Sequence, residues 1–334
     1  MIDASAALAA RPTSTSAALA ACPTSTSAAL AARPASTSAA LAARPISTSA
    51  ITDLHLSGIF IHPVKSCAAV ALHDARVEHL GLAHDRRWML VEAGSGQFIT
   101  GRECPELVLL SATITDGALQ LSATSPRNLA PRTVIITLKQ RQVRVWDDAV
   151  IAALADAETN LALSNWLGRS VELVHFDARS QRILDQKYAQ ADDQTAFSDG
   201  YPALLISQAS LDELNARLVA AVPGQPNQPG FNQPITMRRF RPNLVIGGAI
   251  PAHAEDSWQR VQIGAALFDV VKPCVRCVFT TVDADLGARD PTGEPLTTLK
   301  TYRRTPKGIT FGMNLIPRNP GVMIQVGDVL SVIA

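Results

Sequence analysis

From Leu54 onward the hydrophobic positions come in short runs or alternate with polar ones, and the runs are strand-length and turn-bounded: Leu54 to Ile61, Arg87 to Val91, Val108 to Ile114, Ala118 to Leu121, Thr133 to Leu138 and Val143 to Trp146. Gly94-Ser95-Gly96 and Thr115-Asp116-Gly117 stand between neighbouring runs. Both are turn chemistry suited to antiparallel neighbours, so the first part of this region reads as antiparallel sheet. A helix is expected from Asp156 to Leu167, with Leu163, Trp166 and Leu167 towards one face and Gly168 placed to stop it. A strand near Val171 to Phe176 follows.

After the polar stretch Asp177 to Asp199, Ala203 to Ile206 reads as a strand. Ser210-Leu211-Asp212-Glu213 reads as a capping box opening a helix, with Leu211, Leu214 and Leu218 on one face. Val222 to Pro234 carries four prolines with Gly, Gln and Asn, and is a loop or hinge. Strands are expected again at Leu244 to Ile246, Ala266 to Val271 and Val278 to Val282, and Met323 to Ile333 predicts two short strands about the Gly327-Asp328 turn. Many strands and two clear helices predict an α+β, beta-barrel-rich protein and not a doubly wound sheet. No G-x-G-x-x-G follows a strand and no G-x-x-x-x-G-K-[ST] occurs, so nucleotide binding by those routes has no support.

The first fifty residues differ in texture. They repeat with a period of 11, marked by Pro12, Pro23, Pro34 and Pro45, each heading a Ser/Thr block followed by Ala-Ala-Leu-Ala-Ala or a close copy. A proline interrupts every copy and one Leu per repeat leaves almost nothing to bury, so residues 1–50 read as low complexity, disordered or a frayed helix. Their Arg and Ser content superficially matches a transit peptide, but tandem near-identity favours a repeat expansion or a mis-assigned start. Folding and activity are expected to survive their removal.

Lys and Arg number 30 against 29 Asp and Glu, a net charge of +1, so no chain-wide field attracts nucleic acid or an anionic membrane surface. No run approaches the roughly 18 apolar residues of a membrane span. Five cysteines, clustered only as one C-x-x-C, do not form a disulfide scaffold and fit a reducing, cytoplasmic setting.

That pair, in Lys272-Pro273-Cys274-Val275-Arg276-Cys277, places two thiols between cations after an apolar strand, an arrangement expected to favour thiolate. A thioredoxin-like dithiol, half of a zinc site and a single thiolate on a soft transition metal all remain open, as does a packing role for both sulfurs. Zinc lacks a second C-x-x-C or paired His, and a dithiol motif would enter a helix, whereas Val278 to Val282 is expected to continue as strand. Cations also gather at Pro63-Val64-Lys65-Ser66-Cys67, Asp85-Arg86-Arg87-Trp88 and Arg238-Arg239-Phe240-Arg241-Pro242-Asn243, where guanidinium forks suit a phosphate or a pterin-like heterocycle.

Gly58-Ile59-Phe60-Ile61-His62-Pro63-Val64-Lys65-Ser66-Cys67 and Asp85-Arg86-Arg87-Trp88-Met89-Leu90-Val91 resemble the N-terminal beta-barrel module that precedes a MOSC domain. Phe197-Ser198-Asp199-Gly200-Tyr201-Pro202, Phe240-Arg241-Pro242-Asn243, Cys274 to Asp283 and Phe311-Gly312-Met313-Asn314 resemble the MOSC domain itself. The resemblance runs from about Leu54 to the end of the chain and is strongest to the molybdenum amidoxime-reducing components and their bacterial relatives. Beyond the repeat at 1–50, it implies an N-terminal MOSC beta-barrel module at 51–180 and a MOSC domain at 181–334.

The implied activity is molybdenum-cofactor-dependent reduction of small N-hydroxylated compounds (hydroxylamines, N-hydroxylated bases and amidoximes), the metal cycling between Mo(IV) and Mo(VI). By the same resemblance Cys277 is the molybdenum ligand and a catalytic residue; for handling protons the candidates are Asp199 or a metal-bound water. Lys65, Ser66 and Arg86 hold the molybdopterin from the first module; Asp199, Gly200, Tyr201, Arg241 and Asn243, with Cys277, hold it from the second. Cys274 is implied to pack or hydrogen-bond locally, and Val275 replaces a common Ser, removing a hydroxyl. No iron–sulfur cysteine spacing is present, so a separate ferredoxin- or flavoprotein-type donor is expected. The alternative is a cofactor carrier or sulfur-delivery module without reductase activity; the pyridoxal-phosphate domain of a sulfurase is not expected here.

Overall fold

Most of the alternating runs become strands in the residues that the computed structural model describes, 54–220 and 234–334. The 1–50 repeat and all of the Val222 to Pro234 loop except Pro234 lie outside the described residues. The principal sheet runs Leu330–Val332, Arg260–Ile263, Ala266–Val275, Gly308–Pro317, Ala203–Ser207, Leu244–Gly247, His55–Ile61 and Val70–Leu72 in spatial order. Neighbours are antiparallel except Ala203–Ser207 beside Leu244–Gly247, a parallel pair whose long connection includes the Gln208–Ala220 helix. One bridge, His55 to Val329, and backbone bonds between Leu56 and both Gly327 and Asp328 bring the ends of this path together. The sheet therefore curls around the buried Leu56, Ile59, Leu205, Leu244, Phe268 and Leu315, while the strand path itself stays open. Its first two strands come from residues 55–72, so the expected first module contributes to the same sheet as the expected second.

A second sheet orders Trp88–Glu92, Val171–His175, Asp148–Ala155 and Ile136–Val145; a third joins Ser111–Thr115, Ala118–Ala123 and Leu129–Thr133. The Thr115 to Ala118 hairpin closes through Asp116 and Gly117, both with positive φ (51° and 77°), as a tight primed turn requires. The helix Ala157–Leu167 starts where Asp156 accepts from the Thr159 amide at 2.8 Å and stops at left-handed Gly168, burying Leu163 and Trp166 against the third sheet's core.

Strand-rich α+β architecture is thus what the alternation predicted, with local departures. Val108 to Ile114 is not one strand: Pro105–Leu109 forms a 3-10 helix that buries Leu107 and Val108, and the strand starts at Ser111. Thr133 to Leu138 divides between two strands, Leu129–Thr133 and Ile136–Val145. Ser210 does not open its helix, which begins at Gln208; Ser207 accepts from the Ser210 amide, and the Ser210 hydroxyl instead donates to buried Glu255 at 2.8 Å. Val278–Thr281 is a 3-10 helix and not a strand, because Thr280 returns both its amide and its hydroxyl to the Cys277 carbonyl. Met323–Gln325 and Leu330–Val332 are strands flanking a Gly327 turn, yet they pair with Asp74–Glu78 and Arg260–Ile263 and not with one another. The helix Leu296–Tyr302 carried no sequence signal that singled it out.

Candidate functional site

A cleft collects the cation-rich segments flagged in the sequence. Lys65, Ser66 and Arg86 enter it from one side, Asp199, Gly200, Tyr201, Arg241 and Asn243 from another, and Cys274 and Cys277 from the end of the Ala266–Val275 strand and just past it. Four non-glycine residues are held at positive φ here: Ser66 at 68°, Arg86 at 48°, Trp146 at 54° and Arg241 at 55°. Such conformations cost on the order of 1 kcal/mol each or more and persist where surrounding bonds over-determine them. The bonds are present. The Arg86 amide donates to the His62 carbonyl and its carbonyl accepts from Phe197, while Arg241 ends the Met237–Phe240 3-10 helix by donating its amide to Arg238.

Arg86 is the hub. Its Nη1 donates to Asp85 Oδ2 at 2.6 Å and to Asn243 Oδ1 at 2.8 Å, and its Nη2 donates to the Arg241 carbonyl at 3.0 Å. Burial works to raise the Asp85 carboxyl, but Arg86 and the His62 contacts hold it down to about 2. His62, fully buried, is pushed well below the usual imidazole range by burial and then by Arg241 and Arg86, so it is neutral at pH 7. Asn243 has both ends of its amide engaged, Nδ2 donating to the Phe60 carbonyl at 3.0 Å, and therefore organises the cleft floor.

Lys65, 5% exposed, donates to the Phe197 carbonyl at 2.8 Å and pairs with Asp199. Desolvation alone would raise Asp199; Lys65 first, then Arg102 and Arg86, hold it at about 2, so it is a carboxylate at neutral pH. Arg182 fixes the segment from behind, its Nη1 donating to the Ala196 and Ser198 carbonyls, its Nη2 to that of Asp199 and its Nε to Asp148. Burial and Arg86 lower Arg241 to about 9, which leaves it cationic at pH 7. Its Nη1 donates to the Cys67 carbonyl at 2.6 Å, whereas buried Nη2 has no protein partner.

The two thiols of the C-x-x-C are held separately. Arg276 Nη1 donates to Cys274 Sγ at 3.0 Å, while Cys277 Sγ accepts from Nε of Arg102 at 3.1 Å. Lys272, expected beside a sulfur, instead lies over the rings of Tyr188 and Tyr201. Arg102 was not legible from sequence: it is a lone arginine in a loop, carried to the sulfur by the fold and stacked 4.4 Å from the Trp146 ring centroid. Gly101 permits this approach, since a Cβ there would lie 2.2 Å from the Phe279 ring. Two other flagged cations lie off the cleft, Arg87 paired with Glu78 and Arg238 with Asp285, while Arg239 borders the cleft and pairs with Asp283.

Six cations (Lys65, Arg86, Arg102, Arg239, Arg241 and Arg276) and one carboxylate, Asp199, line the cleft. Asp199 already pairs with Lys65, so the remaining charge suits an anionic ligand. Among the described residues no three or more His, Cys, Asp or Glu are grouped to hold a metal by themselves. A metal here would rest on Cys277 and on donors brought by a ligand.

Residues 54–171 match the family model described as the MOSC N-terminal beta barrel domain, and residues 192–331 match that of the MOSC domain. Mitochondrial amidoxime-reducing component 1 of Mus musculus is 35% identical over 81% of this chain and 79% of its own length, and that of Homo sapiens 33% over 81% and 80%. A molybdenum cofactor sulfurase of Oryza sativa subsp. japonica is 31% identical over 80% of this chain and 33% of its own length.

Proposed function

The chain belongs to the MOSC family, joining that family's N-terminal module to the MOSC domain, and from this premise we propose that it is a molybdenum-cofactor-dependent oxidoreductase that reduces N-hydroxylated compounds with electrons from a separate protein. The observation that carries the reading is Cys277, a sulfur donor on the wall of a cleft lined by six cations and one carboxylate. Sulfur ligands suit a soft metal–dithiolene centre. A pterin phosphate would find guanidinium forks, and two buried nitrogens without protein partners, Arg241 Nη2 and Arg276 Nε, are the groups such an anion would satisfy. The residues present therefore fit the cofactor.

When bound, the cofactor supplies the two-electron redox chemistry. The chain's own residues then position and shield. Cys277 would hold the metal, with Arg102 fixing its sulfur. Lys65, Arg86 and Arg241 would hold the anionic groups, and Ser66, Gly200 and Tyr201 would complete the walls. Asn243 acts through Arg86. Asp199, a carboxylate whose pKa is held at about 2, orients Lys65 and is poorly matched to giving or taking a proton near neutral pH.

The test is Cys277→Ser in protein made with the cofactor supplied. Molybdenum per chain and hydroxylamine reduction with an artificial electron donor are both expected to fall at least about tenfold, as loss of a metal ligand does. Wild-type molybdenum content in the variant would sink the ligand assignment. The sulfurase relative favours a second reading, a carrier that binds cofactor without reducing anything. Loaded wild-type protein that gives no turnover would select it.

A further inference from the structure

Three lysines from three separate segments, Lys187, Lys272 and Lys307, surround one ring, that of Tyr188, with their ammonium nitrogens 5.5, 5.2 and 5.6 Å from its centroid. Among the described residues none of the three forms an ion pair; Lys307 donates to the Tyr188 hydroxyl at 2.9 Å, and nearby Asp185 uses its carboxylate on the Lys187 backbone amide. The hydrogen bond from Lys307 lowers the Tyr188 hydroxyl from its ordinary value, as a cationic neighbour should. Cation–π contact offsets part of the repulsion among like charges, yet the patch stays positive and open to solvent at Lys187 and Lys307.

Its position gives it a use. Lys272 lies 5.1 Å from the ring centroid of Tyr201, a wall of the cleft, and begins the Lys-Pro-Cys-Val-Arg-Cys segment that carries Cys277. Val275, 46% exposed, sits against Gly308, the residue after Lys307, and also borders the cleft. An exposed apolar spot rimmed by unpaired cations, next to the mouth of the cleft, is the composition of a small, electrostatically steered protein contact. Base stacking is disfavoured because the Tyr188 ring already faces three ammonium groups and offers no free platform.

We propose that the face formed by Lys187, Lys272, Lys307 and Val275 docks the acidic surface of a partner protein, which, if the chain is a reductase as proposed above, is its electron donor. The probe is a fluorescein-labelled octaglutamate peptide, followed by anisotropy against the wild-type chain, Lys187→Gln/Lys307→Gln and, as a cleft control, Arg102→Gln. Wild type is expected to bind more weakly as salt is raised. The double lysine variant should bind roughly fivefold more weakly or worse, and Arg102→Gln within about twofold of wild type. Unchanged affinity in the lysine variant, loss confined to Arg102→Gln, or tighter lysine-dependent binding of a thymidine oligonucleotide of equal length would each overturn the proposal, the last in favour of nucleic acid. The assay needs neither molybdenum nor turnover, so it stands or falls separately from the reductase reading.

Discussion

At the scale of single residues, Asp85 determines how Arg86 meets the cleft. The carboxylate accepts from the His62 amide at 2.7 Å and from Arg86 at 2.6 Å while only 2% exposed, so its charge is compensated inside the protein. A carboxyl whose folded pKa of about 2 lies below the unfolded value contributes stability that is whole above about pH 4 and is lost as pH falls through about 2. Asp85→Asn should be less stable than wild type at pH 7, and its thermal midpoint should fall less between pH 4 and pH 2. Parallel curves for the two proteins over that interval would count against the pairing. Cys277 was recognisable in the sequence because a C-x-x-C is short and local; its partner Arg102 was not, being 175 positions away.

Secondary elements were legible where local chemistry decides them. Asp156 and Gly168 bound the Ala157–Leu167 helix as read from sequence, since a side-chain cap and a left-handed stop act within one turn. Asp156 also accepts from the Thr159 hydroxyl at 2.7 Å and from the Ile135 amide at 3.3 Å, so it ties the helix to the strand beside it. Asp156→Ala should lower unfolding free energy by about 1 kcal/mol, measured by urea denaturation at pH 7. Elements failed to be legible where distant partners choose: Ser210 has the right neighbours for a capping box, but buried Glu255, from far along the chain, captures its hydroxyl.

At the largest scale, the described residues are held together across the boundary expected at 180/181. His55–Ile61 pairs with Leu244–Gly247, and Leu56, Ile59 and Ile61 share one core with Leu205, Phe268 and Leu315. The cleft is shared likewise, since Arg86 from the first part bonds both Asn243 and the Arg241 carbonyl from the second. A chain of residues 181–334 alone should therefore lack a cooperative thermal transition, exposing apolar surface that the first strand covers. A sharp, reversible melt of that fragment would show the boundary to be a real domain division.

Along this chain, the alternation, the turn residues and the C-x-x-C by themselves determined a strand-rich α+β class, the hairpin at Asp116-Gly117 and the segments from which a site could be built, because each of these depends on neighbours within a few residues. The tertiary structure alone decided which cations face the cleft and which turn to Glu78 or Asp285, that the final two strands part company, and that Arg102 reaches Cys277. Those outcomes depend on which long-range partner lies within hydrogen-bond reach, and sequence spacing carries no record of that distance.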